Sequence, residues 1–196
     1  MNKAPSKQRQ LRCRQSPRRQ FVKQASFALA GLFTSMSAKP VLAKTYLSID
    51  QAKMVLLPGR ELQKTDVEFT KEQKKSIQRA SNVRVRSNTL NAWKSLDHEW
   101  FIVDQIIGKH ENIDMAFAID AKGQIMGLEV LTYRESYGHQ IRIPKWRAQF
   151  VGKSSKDHLK LDQQIRNISG ATLSCAHVTD GVNRLTQTWQ LVLKDL

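Results

Sequence analysis

Cysteine is almost missing from this chain: Cys13 and Cys175 are the only two in 196 residues. A disulfide-stapled scaffold is therefore excluded, and the fold must be held by packing alone. No Gly-x-Gly-x-x-Gly follows a strand pattern and no Gly-x-x-x-x-Gly-Lys-Ser/Thr occurs, which removes dinucleotide-fingerprint and P-loop chemistry. The histidines, His98, His110, His139, His158 and His177, show no paired ligand spacing, so no metal centre is expected. Beyond residue 43 no apolar run approaches the roughly 20 residues that a membrane span needs. Acidic residues are absent from residues 1–43 altogether.

That last gap accounts for much of the formal charge of +15. Nine of the 32 basic residues (Lys3, Lys7, Arg9, Arg12, Arg14, Arg18, Arg19, Lys23 and Lys39) precede residue 44, with nothing to balance them. From residue 44 onward the chain is only moderately basic. The leader passes from its basic stretch into a modest apolar run, Ala25 to Ala38, and then Pro40-Val41-Leu42-Ala43. Small residues near Ala43 fit a signal-peptidase site, which makes Lys44 the new N-terminus. The stretch Ser16-Pro17-Arg18-Arg19-Gln20-Phe21-Val22-Lys23 resembles a twin-arginine export signal. Residues 1–43 are thus expected to be a twin-arginine signal peptide and the mature protein to be periplasmic. Nucleic acid is then not an expected partner.

The remaining length suits one small domain with a real core. Ser48-Ile49-Asp50-Gln51 has the spacing of a capping box, and Ile49, Ala52 and Leu56 share one face of the helix it opens, which Pro58-Gly59 ends. A second box, Thr70 to Gln73, opens a polar surface helix to about Ala80. Short extended pieces are expected at Val83–Val85 and a buried strand at Glu99–Ile107. The clearest strand has Ile113, Met115, Phe117 and Ile119 alternating with Asp114, Ala116, Ala118 and Asp120. It turns at Asp120-Ala121-Lys122-Gly123 and returns over Gln124–Thr132 with Met126, Leu128 and Val130 on one face. Pro144 starts a short helix with Trp146 and Phe150 one turn apart and Gly152 at its end. A short strand is expected near Leu159–Ile165. A final helix carries Val178, Val182, Leu185, Trp189 and Val192 as an apolar stripe. The fold class is α+β, an antiparallel sheet with packed helices in a single small domain. Residues 44–107 supply its N-terminal helices and strands, and residues 108–196 its core.

One turn carries chemical interest. Ser169-Gly170-Ala171-Thr172-Leu173-Ser174 gathers hydroxyls and small residues just before the long helix. A helix start offers free N–H groups and the positive end of the dipole, a seat for phosphate. The hydroxyls of Thr172 and Ser174 can cap the helix, donate to a phosphate, or be esterified by one; an ordinary Ser/Thr cap looks the same in sequence. Cys175 and His177 lie two apart on that helix and cannot form a dyad.

Ile168-Ser169-Gly170-Ala171-Thr172-Leu173-Ser174, followed by Val178 and Gly181-Val182, resembles the signature of the FMN-binding domain family. That family includes flavin subunits of sodium-pumping NADH:quinone reductases and ion-pumping ferredoxin:NAD oxidoreductases. The likeness continues upstream through Gln149–Lys153, Glu135-Ser136-Tyr137-Gly138 and the hairpin Ile113–Val130, covering roughly Gly108 to Leu193. The resemblance implies FMN as cofactor, joined through a phosphoester to Thr172 by an exported flavin transferase. It also implies that Glu135, Ser136 and Tyr137 face the isoalloxazine, with Tyr137 packing on the ring. One departure is Arg166, where the family places Asp; a cation there suits the phosphate of FMN held without a covalent bond.

Two functions are consistent with this reading. The first is an exported electron carrier without catalytic residues of its own, served by a membrane or periplasmic redox partner. The second is a non-redox basic module docking an acidic partner or an anionic membrane surface. Its basis is Lys71, Lys74, Lys75, Arg79, Arg84, Arg86 and Lys94 set against Glu72 alone. Export is testable directly: Arg18→Lys with Arg19→Lys should leave the precursor in the cytoplasm on fractionation. Normal export of that double variant would remove the twin-arginine assignment.

Overall fold

The computed structural model describes residues 43–196. Apart from Ala43, the expected signal peptide therefore lies outside the described residues. Strands β1 (Lys44–Thr45), β2 (Leu62–Glu68), β3 (Thr89–Ser95), β4 (Trp100–Ile107), β5 (Asn112–Ile119) and β6 (Ile125–Tyr133) form one sheet. Its order is β1-β6-β5-β4-β3-β2 and every pairing is antiparallel. Helices α1 (Ile49–Leu56), α2 (Lys71–Ser81), α3 (Pro144–Arg147) and α4 (Thr172–Leu191) pack around it. The architecture is α+β, as the alternation of patterns implied.

Both capping boxes form, with Ser48 and Thr70 each accepting from the N3 backbone while Gln51 and Gln73 reach back. Such reciprocal bonds satisfy two orphan donors at each helix start. In α1, Ala52 is buried, but Ile49 is exposed at the rim. In α2, Ile77 is the buried residue, and the helix lies against α4 on its otherwise polar body.

The core sits mainly between the sheet and α4. Ile113, Met115, Phe117 and Ile119 of β5 meet Val178, Val182 and Leu185 of α4 in one apolar cluster. Ala116 and Ala118, on the reverse face, pack with Ala52, Leu57, Phe101 and Leu131 under α1. β5 is thus buried on both faces, which explains its near-continuous apolar sequence.

Several elements differ from expectation. Met126 does not join Leu128 and Val130 inside: it is 38% exposed, and Ile125 takes the inner place at 1%. The cause is a bulge, because Ala118 pairs with Gly127 and Ile119 with Ile125, leaving Met126 as the extra residue. A second irregularity between Asp114 and Met115 leaves Leu131 as the extra residue, on the α1 face, and brings Tyr133 into the inner cluster with Leu128 and Val130. Val83–Val85 is not a strand. The strand there is β3, and β2 precedes α2 as an edge whose charged sequence, with Val67 alone buried, hides it. Leu159–Ile165 is not a strand either but a turn closed by a single bridge, Leu161 to Ile165. The Asn183 side chain bonds both backbone groups of Leu159, at 2.9 and 2.8 Å, and so replaces a strand partner. The helix at Pro144 runs only to Arg147 before one 3-10 turn, Ala148–Phe150. Trp146 still meets Phe150 edge-on, with ring centroids 5.2 Å apart.

The hairpin turn supplies a stability test. Gly123 has φ +80°, and a Cβ there would collide with the Trp189 ring of α4. Gly123→Ala should therefore lower stability by about 1–3 kcal/mol in denaturant unfolding, through overpacking and backbone strain together. An unchanged midpoint would show that the turn does not press on α4.

Candidate flavin site

The stripe of α4 fixes where its first turn lies, and that turn is open. Gly170 has φ +82°, the left-handed conformation that glycine favours, and it turns the chain into the helix. Ala171 is the N-cap residue, and its side chain cannot cap. The ladder begins with the Cys175 N–H bonding the Ala171 carbonyl at 2.9 Å. No protein acceptor meets the N–H groups of Thr172, Leu173 and Ser174 among the described residues. The expected hydroxyl caps are therefore absent. Three parallel donors remain at the positive end of a 20-residue helix, a geometry that suits phosphate.

The hydroxyls are used otherwise. Thr172 is exposed, and its Oγ1 accepts from Asn167 Nδ2 at 3.1 Å. Ser174 is buried, with its Oγ 3.0 Å from the hydroxyl of Tyr133 at the end of β6. Tyr133 also donates to the Tyr137 carbonyl. Burial pushes the Tyr133 phenol above its ordinary pKa, so it stays a neutral donor. This pair of bonds clips the loop after β6 onto the start of α4. Gly138 sits inside the clip with φ +92°, where a Cβ would collide with Ser174 Oγ and Tyr133 OH.

Glu135 has a bracing role in the same loop. Its Oε1 accepts from the backbone N–H of His110 at 2.5 Å and of Glu111 at 3.1 Å. One carboxylate thus ties the β4–β5 turn to the loop after β6, and Gly108 makes room for it. Arg134 is bound to Asp114 at 2.6 Å and to the Asn112 carbonyl at 3.1 Å. Tyr137 is 82% exposed, its ring free to cover a ligand.

Together these pieces line an open cleft of about 1050 Å³. Of the residues expected in the site, Gly170, Ala171, Thr172, Leu173 and Ser174 form one wall, and Glu135, Ser136 and Tyr137 form another. Ser169, though exposed, does not line it. Arg166 does not line it either. Its N–H donates to Gln149 Oε1 at 2.8 Å, and its carbonyl accepts from Trp146 Nε1 at 2.7 Å. These bonds fix the Arg166 backbone by α3 while its side chain is left in solvent, so a phosphate role for it finds no support.

Sequence reasoning missed Lys109, His110, Glu111, Arg134 and Ala43, all of which line the cleft. Hairpin geometry held the clue for most of them. The β4–β5 turn and the end of β6 must lie at the same end of an antiparallel sheet. Cys175 is buried, and burial raises its thiol pKa, so it is a packed residue and not a nucleophile. Among the described residues no group of His, Cys, Asp and Glu could hold a metal ion. No described helix is long and apolar enough to cross a membrane.

No curated protein matches the chain. A family model does: residues 108–187 match the FMN-binding domain. That span runs from the β4–β5 turn through most of α4 and contains both walls of the cleft. The chain therefore carries an FMN-binding domain at residues 108–187, and FMN is its cofactor.

Proposed function

We propose that the mature protein is a periplasmic electron carrier whose FMN is joined by a phosphoester to Thr172. The observation that carries this reading is the uncapped first turn of α4, with the exposed Thr172 hydroxyl beside three unbonded N–H groups. A phosphate on Oγ1 would lie next to those donors, where the dipole contributes about 0.3–1 kcal/mol. Bound FMN supplies one- and two-electron transfer. The protein's part is to seat the phosphate, cover the ring and admit a partner.

Tyr137 and Leu173 are the exposed apolar side chains on the cleft, placed to cover an isoalloxazine from the loop and the helix. Glu135 and Arg134 are held by structural hydrogen bonds, and Tyr133 by its clip. None of these is poised to exchange a proton with a substrate, which favours a carrier over an enzyme with its own turnover. Lys109 stands at the rim with no ion-pair partner among the described residues, suited to the anionic end of FMN or of an incoming partner. The partners are a flavin transferase that makes the bond and a membrane or periplasmic protein that exchanges electrons.

The alternative is a basic docking module, and one observation favours it. Lys71, Lys74, Lys75 and Arg84 line a groove beside α2, at the β2 edge of the sheet. The flavin cleft lies at the β6 end of the strand order. A membrane or acidic partner held by this groove would leave the cleft free, so docking complements the carrier role.

Two substitutions test this reading. Thr172→Val keeps the side-chain shape and removes the nucleophilic oxygen. It should abolish in-gel flavin fluorescence after co-expression with a transferase, with the unfolding midpoint nearly unchanged. Undiminished fluorescence in that variant would move the attachment elsewhere. Gly138→Ala should break the clip between Ser174 and Tyr133, costing about 1–3 kcal/mol in unfolding and lowering flavin retention. Retention and stability like those of the wild type would show that the clip does not shape the cleft.

A further inference from the structure

Two polar side chains precede the open turn, and the structure separates them. Arg166 faces solvent from a backbone pinned by Gln149 and Trp146. Asn167 turns toward the helix start, and its Nδ2 donates to Thr172 Oγ1 at 3.1 Å. Its Oδ1 is shielded from water yet has no hydrogen-bond partner. Buried polar atoms are nearly always paired, and an orphan costs roughly 1–3 kcal/mol.

A threonine hydroxyl has one proton and two lone pairs. Asn167 occupies one lone pair and so selects a single rotamer of Thr172, holding Oγ1 beside the unbonded N–H groups of the first turn. The proton and the second lone pair stay free on the exposed side. With the amide turned over, Oδ1 would gain the partner it lacks by accepting that proton, and a lone pair of Oγ1 would be left for attack. Either way one side chain fixes the nucleophilic oxygen.

We infer that Asn167 is a positioning residue for the esterification of Thr172, which rests on the reading of Thr172 as the attachment site. The co-reactant is a flavin dinucleotide, whose FMN phosphate already carries a leaving group. Oγ1 forms a bond to that phosphorus, the bridging P–O bond breaks, and a nucleoside monophosphate departs. The hydroxyl proton passes to a base of the transferase, and no electrons change hands. Fixing Oγ1 lowers the entropic part of the barrier, and misplacement of a reacting atom by about 1 Å can cost 100-fold.

The experiment tracks labelling of the full exported chain by a transferase and flavin adenine dinucleotide, using in-gel fluorescence and intact mass. Asn167→Leu keeps the volume and removes the hydrogen bond. It should slow labelling by about 10- to 100-fold with an unchanged unfolding midpoint and unchanged affinity for free FMN. Asn167→Asp can still accept from the hydroxyl. It should label at neutral pH and slow as the pH falls through the range of a carboxylate, a step the wild type lacks. If the wild type is never labelled, the attachment reading fails and this inference fails with it. If the wild type is labelled and Asn167→Leu matches its rate, Asn167 alone is excluded. Should Asn167→Leu unfold, the Asn167→Asp profile decides: a flat profile at the wild-type rate would overturn the inference.

Discussion

Everything at the cleft depends on how α4 is pressed onto the sheet. Val178, Val182 and Leu185 are buried against the inner face of β5 and its neighbours, and this contact fixes the helix in rotation and position. Burying side chains of this size stabilises by about 1.5–3 kcal/mol each relative to exposure. The helix start therefore cannot drift toward a side-chain cap. Gly170 then turns the chain, Ala171 stands where a capping Ser or Asp would normally be, and the first N–H groups stay open. Uncapped helix ends are costly unless water or a ligand meets them. In the proposed reading an anion, the FMN phosphate, meets this one.

The opposite wall is held by polar contacts rather than by packing. Two side chains do most of it: Glu135 accepts from two backbone N–H groups of the β4–β5 turn, and Tyr133 links the Tyr137 carbonyl to Ser174. Gly108 and Gly138 are needed because a Cβ at either would strike these groups. The cleft is thus a seam between a helix fixed by apolar burial and loops fixed by hydrogen bonds. Tyr137 stands exposed on the loop side of this seam.

Much of this was legible in the sequence, for identifiable reasons. The capping boxes at Ser48 and Thr70 and the stripe of α4 are local patterns, and they formed as read. The β5–β6 hairpin was equally plain, but its bulges were not: one extra residue moves Met126 out and Ile125 in without any mark on composition. β2 was hidden because an edge strand carries charge and few apolar residues, and the inner strand β3 because only Leu90, Ala92 and Ser95 of its seven residues are buried. At the site, the Ser169–Ser174 motif marked a turn whose first helical N–H groups meet no protein acceptor among the described residues. The cooperating residues were harder, since Lys109, His110 and Arg134 reach the cleft only through sheet topology. The role of Asn167 is a matter of side-chain direction, which sequence does not state. Arg166, conspicuous by its departure from the family pattern, faces away because Trp146 and Gln149 hold its backbone.

The central claim is that Thr172 Oγ1 carries the flavin phosphate. The most direct measurement is fragment mass spectrometry of the peptide containing residues 167–184, cut from protein exported beside an active transferase and denatured beforehand. The account predicts one FMN, its phosphate on Thr172, and none on Ser169 or Ser174. Flavin lost entirely on denaturation, or carried by another residue of that peptide, would contradict it.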